Sequence, residues 1–584
     1  MVRVCAVAGP QDLLGDALTF ETPLGEARQK AGPFWEVNPS QTAGRLSDAP
    51  LRFRVSPAPE PGDVLALHFD LKSLDPAGAQ AMVVACLGGS GDGGALRAQA
   101  VAADDWTAQA RTWQVPTRMP QENLTLGFAP YGSASPFAVR NVRLVNHGPD
   151  ADPHSIIPVA GVSYPGQEAD APWRAEAAAR IEKHRKAELR IRVVDAAGNP
   201  VPGAEVKIEQ QRHAYAFGTA FVAARIVDQD ISPYVKNPEF DLEAWKADNV
   251  RYRQVLEELF NAAVPENDLK WPQWVRDPGF ERQDRQATLD ALRILHERGI
   301  EVRGHTMFWP HANNLPEAVK PIVDDPEKLD AAVRAHVREI GEATAPWVRE
   351  WDFLNEPVHR KIWKESFPAD MVADWMRLAH EATGGARLFV NEFNIVGDGA
   401  VRTSTPRDYH KIIQALLDEG APLHGIGFQG HFWSEIVTPP ERVWEVIDDF
   451  ARYKLPLRVT EYDFTCADDA YHAQYTRDFL TAWFAHPATD GFIMWGFWAR
   501  AHWRPEAAMF RADWSPRPAV DVWKDLVFNQ WWTNETLATD AEGNAAFRAF
   551  HGLHKITVNT ADGRWVTKEV ELSPTGWSGE VQIE

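Results

Sequence analysis

At 584 residues the chain is too long for one compact core, and two to four domains are expected. Its net charge of −22 excludes a protein that grips a phosphate backbone by charge. No run approaches the roughly 18 apolar residues of a membrane-spanning helix.

The chain opens on MVRVCAVAGPQDLLGD, which lacks the charged start, apolar core and cleavage site of a leader. The protein is therefore expected either to stay in the cytosol or to have lost a leader, and a secreted or periplasmic location is the expectation carried forward. Residues 1–150 read as a β-sandwich. Phe53 and Val55 alternate with arginines, Leu65, Leu67, Phe69 and Leu71 alternate along a second run, and Leu124, Leu126 and Phe128 along a third. FAVRNVRL at 137–144 closes the series. GGSGDGG at 88–94 fits a GxGxxG pattern, but with strands on both sides and no βαβ unit it reads as a hairpin loop.

Residues 151–186 read as a linker rich in Pro, Gly and Asp followed by a helix, APWRAEAAARIEKHRK. Two strands follow within 187–212, carrying Leu189, Ile191 and Val193, then Val206 and Ile208, with DAAGNPVPG turning the chain between them. The last segment, 533–584, repeats this texture with DAEGNAAF and HKITVNTADGRWVTKEVEL. The two pieces are expected to pair into one small β-domain flanking whatever lies between them.

Between them, 213–532 has another rhythm. Short apolar strands are each followed by a helical run: FAFGTAF, FNAAVPEN, EVRGHTMFW, REWDFLNEP, ARLFVNEFN, HGIGFQGHF, LPLRVTEYD and GFIMWGFW. Helical runs such as RQATLDALRILHERG and DYHKIIQALLDEG end in glycine. Eight such units predict a (β/α)8 TIM barrel, so the fold class is a multidomain chain of barrel, N-terminal sandwich and small β-domain. Glu266, His305, Glu356, Glu392, His431 and Glu461 fall at the C-terminal ends of their strands, where this fold places chemistry.

Glu356 ends strand four and Glu461 ends strand seven, on opposite sides of a closed ring. A carboxyl pair facing across a sugar suits cleavage of a glycosidic bond: one protonates the leaving oxygen, and the other attacks carbon when the two are about 5–5.5 Å apart. Asn355 could hydrogen-bond a sugar 2-hydroxyl. Glu461 and Asp463 are two apart and share a strand face, as do Gln429 and His431, so a Glu461–His431–Asp463 array would hold Glu461 ionised. The 24 tryptophans add flat apolar faces that stack on sugar rings or fill cores.

At these residues the chain resembles glycoside hydrolase family 10, the xylanase family, over about 215–525. PENDLKW at 265–271 is similar to the family's strand-two motif and implies that Glu266, Asn267 and Lys270 bind sugar. GHTMFW at 304–309 implies the same for His305 and Trp309, and MWGFWARAHWR at 494–504 for Trp495 and Trp503. WDFLNEP implies Glu356 as acid/base, with Asn355 in support. VTEYD implies Glu461 as nucleophile, and FQGHF puts Gln429 and His431 beside it. Two places depart from the family's pattern: Pro310 follows Trp309, and strand five carries Asn391, Glu392, Phe393 and Asn394 where an Asp and a Tyr are common. Residues 1–150 resemble a carbohydrate-binding sandwich, with Trp35, Trp106, Trp113 and Tyr131 as stacking candidates or core aromatics.

The resemblance implies a retaining enzyme on xylan-type polysaccharide or oligosaccharide, with no cofactor. An exo-acting or oligosaccharide-specific enzyme and a non-catalytic glycan-binding protein are the alternatives. A metal-dependent barrel hydrolase is disfavoured, since there is no His-x-His on strand one and no HExxH, and Cys5, Cys86 and Cys466 lack metal spacing. No nucleic-acid or membrane partner is expected, removal of residues 1–150 should spare hydrolysis of soluble substrate, and oligomeric state is not read from the sequence.

Overall fold

The computed structural model describes all residues except 1–10, 20, 23–24, 31–33, 41–48, 77–80, 89–95, 103, 116–118, 120–122, 131–134, 153–155, 157–162, 236–239, 279–283, 359–367, 401–403, 433–436 and 467. Eight parallel strands form a closed ring. They are, in order, Ala216–Phe221, Ala262–Pro265, Glu301–Phe308, Val348–Asn355, Arg387–Glu392, Gly425–Phe428, Leu457–Phe464 and Thr489–Met494. Each pairs with the next, and the eighth pairs back onto the first. Helices alternate with the strands. Asp241, Asp284, Asp325 and Asp468 cap four of them by accepting first-turn N–H groups. Gly299 and Gly420, the two predicted helix stops, both adopt positive φ (75° and 65°).

The ring holds a cluster of paired charges packed over the Phe389 ring. Arg303 donates to Glu350 Oε1 at 2.9 Å and pairs with Asp352, and Arg458 bridges Glu350 and Asp490. Arg387 reaches Asp490 Oδ2 at 2.7 Å. Buried ions persist only when paired in this way, because stripping their water costs several kcal/mol each. Gly304 lies where any Cβ would sit 2.2 Å from the Trp351 ring, so the strand-three glycine makes room for a strand-four tryptophan.

The sandwich is present as a seven-stranded antiparallel sheet facing a five-stranded one. Leu65, Leu67, Phe69, Leu71, Leu126 and Phe128 point into the core between them, as their period-two spacing requires. Strands Ala81–Gly88 and Leu96–Ala102, which flank the glycine-rich stretch, pair antiparallel as a hairpin. Residues 89–95 lie outside the described residues.

The flanking segments also pair. Lys186–Val194 lies between Asn544–Phe550 and Trp577–Gln582, and Glu205–His213 between Asn534–Ala538 and Gly552–Asn559. The two similar turns have the same construction. Asp195 Oδ1 accepts the N–H of Ala197 and Asn199, and Asp540 Oδ1 accepts those of Glu542 and Asn544. Gly198 and Gly543 take positive φ in each turn.

The stretch before this domain is tied down. Tyr164 donates to Asp478 at 2.7 Å, Arg174 pairs with the same carboxylate, and helix Pro172–His184 buries Trp173, Ala177 and Ile181. The sandwich touches the barrel through Gln99, 1% exposed: its Oε1 accepts the N–H of Val437 at 2.8 Å and its Nε2 donates to Ser163 O at 3.2 Å.

Candidate active site

Strand four ends at Asn355, and the chain turns at Glu356, whose φ of 53° lies in the left-handed region. A glutamate held there costs about 1–3 kcal/mol and needs support from its surroundings. Strand five supplies it, for the Glu356 N–H donates to Asn391 O at 2.8 Å. The carboxylate then takes two donors, Trp309 Nε1 on Oε2 at 3.2 Å and Gln429 Nε2 on Oε1 at 3.1 Å.

Glu461, on strand seven, is buried. Asn391 Nδ2 donates to its Oε1 at 2.7 Å, and His431 Nε2 lies 3.2 Å from its Oε2. His431 Nδ1 is 3.0 Å from Asp463 Oδ1, and Trp503 Nε1 donates to Asp463 Oδ2 at 2.6 Å. Burial alone would push the imidazole down; the carboxylates of Asp463 and Glu461 outweigh it and raise His431 to about 9. The imidazolium thus stands as a cation between the carboxyl groups of Glu461 and Asp463.

Asn391 ties the two halves together. Its backbone carbonyl holds Glu356, and its amide holds Glu461 while also donating to Asn355 Oδ1 at 2.9 Å. Thr460 fixes that amide's orientation by donating to its Oδ1 at 2.6 Å. With Asn355 Oδ1 engaged, the Asn355 NH2 group is left buried without a hydrogen-bond partner among the described residues. A buried donor left open beside two carboxylates suits a ligand hydroxyl.

The remaining residues line the same end of the barrel. His305 Nδ1 is 3.0 Å from Asp352 Oδ2, and its ring meets Trp495 edge-on at 5.0 Å. Burial would raise Asp352, but Arg303 and His305 outweigh it and hold it below the usual carboxylate range. Lys270 donates to Asn267 Oδ1 at 2.8 Å and sits 5.2 Å from the Trp309 ring centre. Burial lowers Lys270 and raises Glu266, and each opposes the other's shift through its charge. Trp503 stands at the rim, 44% exposed. Ligand atoms of His305, Asp352 and Glu461 lie within 4.8 Å of one another, but hydrogen-bonding and ionic protein partners already engage all three.

Three differences from the sequence reading stand out. Gln429 meets Glu461 through its main chain, its carbonyl accepting the Glu461 N–H at 2.8 Å, while Gly430 at φ 82° interrupts the strand and the Gln429 side chain turns to Glu356. Asn391 and Asp352 carry roles that the motifs did not assign. Asn391 is named only among the strand-five departures, next to Glu392 at the strand end, and that was the available signal. Among the sandwich aromatics, Trp113 is buried and donates to Arg97 O, Trp35 packs edge-on against Phe53, and Arg140 stacks 4.1 Å over Trp106. Trp113 is therefore a core residue rather than a stacking platform, and Tyr131 lies outside the described residues.

The profile of Glycosyl hydrolase family 10 matches residues 232–526, half of the chain. The chain belongs to glycosyl hydrolase family 10. Among curated relatives, the anti-sigma-I factor RsgI6 of Acetivibrio thermocellus is 27% identical over 408 residues, 69% of this chain and 48% of that protein. Endo-1,4-beta-xylanase 2 of Arabidopsis thaliana is 27% identical over 370 residues, 63% of this chain and 32% of that protein. The chain thus spans less than half of the length of these relatives. Among solved structures, xylanase 10B from Thermotoga petrophila RKU-1 in complex with xylobiose aligns at 20% identity and a TM-score of 0.45, covering 54% of this chain and 95% of that one. Membership in family 10 makes this end of the barrel the place to look for glycoside hydrolysis.

Proposed function

We propose that the chain is a retaining hydrolase of β-1,4-xylosidic bonds, with Glu461 as nucleophile and Glu356 as acid/base. One observation carries the reading. Both oxygens of Glu461 are held by Asn391 and by a His431 kept cationic by Asp463, while Glu356 sits at the other end of the same Asn391 bridge. Glu461 attacks the anomeric carbon as Glu356 protonates the leaving oxygen; Glu356 then takes a proton from a water whose oxygen bonds to the anomeric carbon and displaces the Glu461 carboxylate, which releases the sugar. The open NH2 group of Asn355 meets the 2-hydroxyl, where a hydrogen bond tightens as positive charge develops on the ring. Glu266, Asn267, Lys270, His305, Trp309, Trp495 and Trp503 hold the sugars on either side. Xylan-type substrate is supported by the names of curated relatives, which include endo-1,4-beta-xylanases. A secreted or periplasmic location belongs to this reading.

Two variants test it. Glu461→Ala should abolish turnover of every substrate. Glu356→Ala should lose on the order of 10²–10⁴-fold on xylan yet far less on aryl xylosides with good leaving groups, which need no proton in the first step. Equal losses by both variants on both substrates would overturn the assignment.

A further inference from the structure

Glu392 closes strand five with its side chain fully buried, and the reaction as described makes no use of it. A buried carboxylate is costly unless hydrogen bonds replace its water. Two backbone N–H groups do so: Val358 donates to Oε2 at 2.8 Å and Phe393 to Oε1 at 2.9 Å. Val358 lies two residues beyond Glu356, on the far side of the turn that carries it.

The turn is therefore pinned at Glu356 and two residues beyond it by consecutive residues of strand five. Asn391 O takes the N–H of Glu356 itself, and the Glu392 carboxylate takes that of Val358. The Glu392 main chain contributes as well, since its carbonyl accepts the Gln429 N–H at 3.0 Å and Gln429 Nε2 donates to Glu356 Oε1. The left-handed φ of Glu356 makes the outer pin consequential. With the Val358 N–H released, the turn can relax out of a strained conformation and carry the carboxyl away from the bond to be cleaved.

We propose that Glu392 is a positioning residue for Glu356, fixing the turn through the Val358 N–H so that the Glu356 carboxyl meets the leaving oxygen. This rests on Glu356 being the acid/base. A misplacement of about 1 Å costs on the order of 10²-fold in such a step.

The test uses the full chain with Glu392→Ala and the isosteric Glu392→Gln, and Glu356→Ala alongside. The substrates are a xylo-oligosaccharide and a 2,4-dinitrophenyl xylobioside, and folding is checked by thermal melting. Glu392→Ala should lose on the order of 10²-fold in kcat/KM on the oligosaccharide, Glu392→Gln less, and both should stay within a few-fold of wild type on the activated substrate. Should Glu392→Ala not fold, Glu392→Gln carries the comparison. Equal losses on both substrates, or none on either, overturn the proposal while leaving Glu356 as acid/base. If Glu356→Ala itself shows no dependence on leaving group, the acid/base reading fails and the role of Glu392 goes with it.

Discussion

His431 is the residue whose chemistry depends most on its neighbours. It bridges Glu461 and Asp463, and the two carboxylates raise it to about 9 against the cost of burial. A histidine raised above its ordinary 6.5 contributes stability that is fully present below that value and lost as pH rises through about 9. Asp463→Asn removes one of the two charges, so His431 should titrate at lower pH, read by the imidazole resonances in NMR. An unchanged midpoint would mean that Asp463 does not set the charge of the array. The neighbouring Asn391 shows what the sequence left unread. Its place beside Glu392 at the end of strand five put it near the site, but its two-sided role depends on which way an amide points, and Thr460 and Asn355 decide that only once strands four, five and seven are side by side.

At the scale of elements, the barrel was legible because short apolar runs alternate with helical stretches, most of the runs carry a polar residue at the C-terminal end, and helices such as those stopped by Gly299 and Gly420 are plainly bounded. Where a strand departs from regular pairing, period-two reasoning fails, as at Gly430: the Gln429 side chain reaches Glu356 while its carbonyl takes the Glu461 N–H. The stretch at 163–171 shows a second limit. Its composition reads as linker, yet Tyr164 is buried against Asp478, and nothing in Pro, Gly and Asp content announces such a contact. Gln99 has the same character. It leaves the sandwich to bond Val437, in the segment that follows strand six, and Ser163. Gln99→Ala strands a donor and an acceptor and should cost about 1–3 kcal/mol, seen as a lower melting temperature of the full chain. An unaltered melting temperature would mean that this contact does not brace the barrel.

At the scale of the molecule, three units meet around one ring of strands. The small β-domain is made of segments on both sides of the barrel, so the barrel is an insertion whose ends are held together by Lys186–Val194 and Glu205–His213 pairing with the C-terminal strands. Repetition of the Asp-x-x-Gly-Asn turn made that pairing readable from the sequence. The contact of the sandwich with the barrel was not readable, and through Gln99 it bears on the expectation that residues 1–150 detach without consequence. All of this architecture serves to bring Glu356 and Glu461 to one bridge at Asn391. Retention of configuration is the direct chemical consequence of using Glu461 as nucleophile. The decisive measurement is the ¹H NMR spectrum of the first sugar released from a β-linked xylo-oligosaccharide, before mutarotation. The account predicts the β-anomer first; the α-anomer first would contradict it.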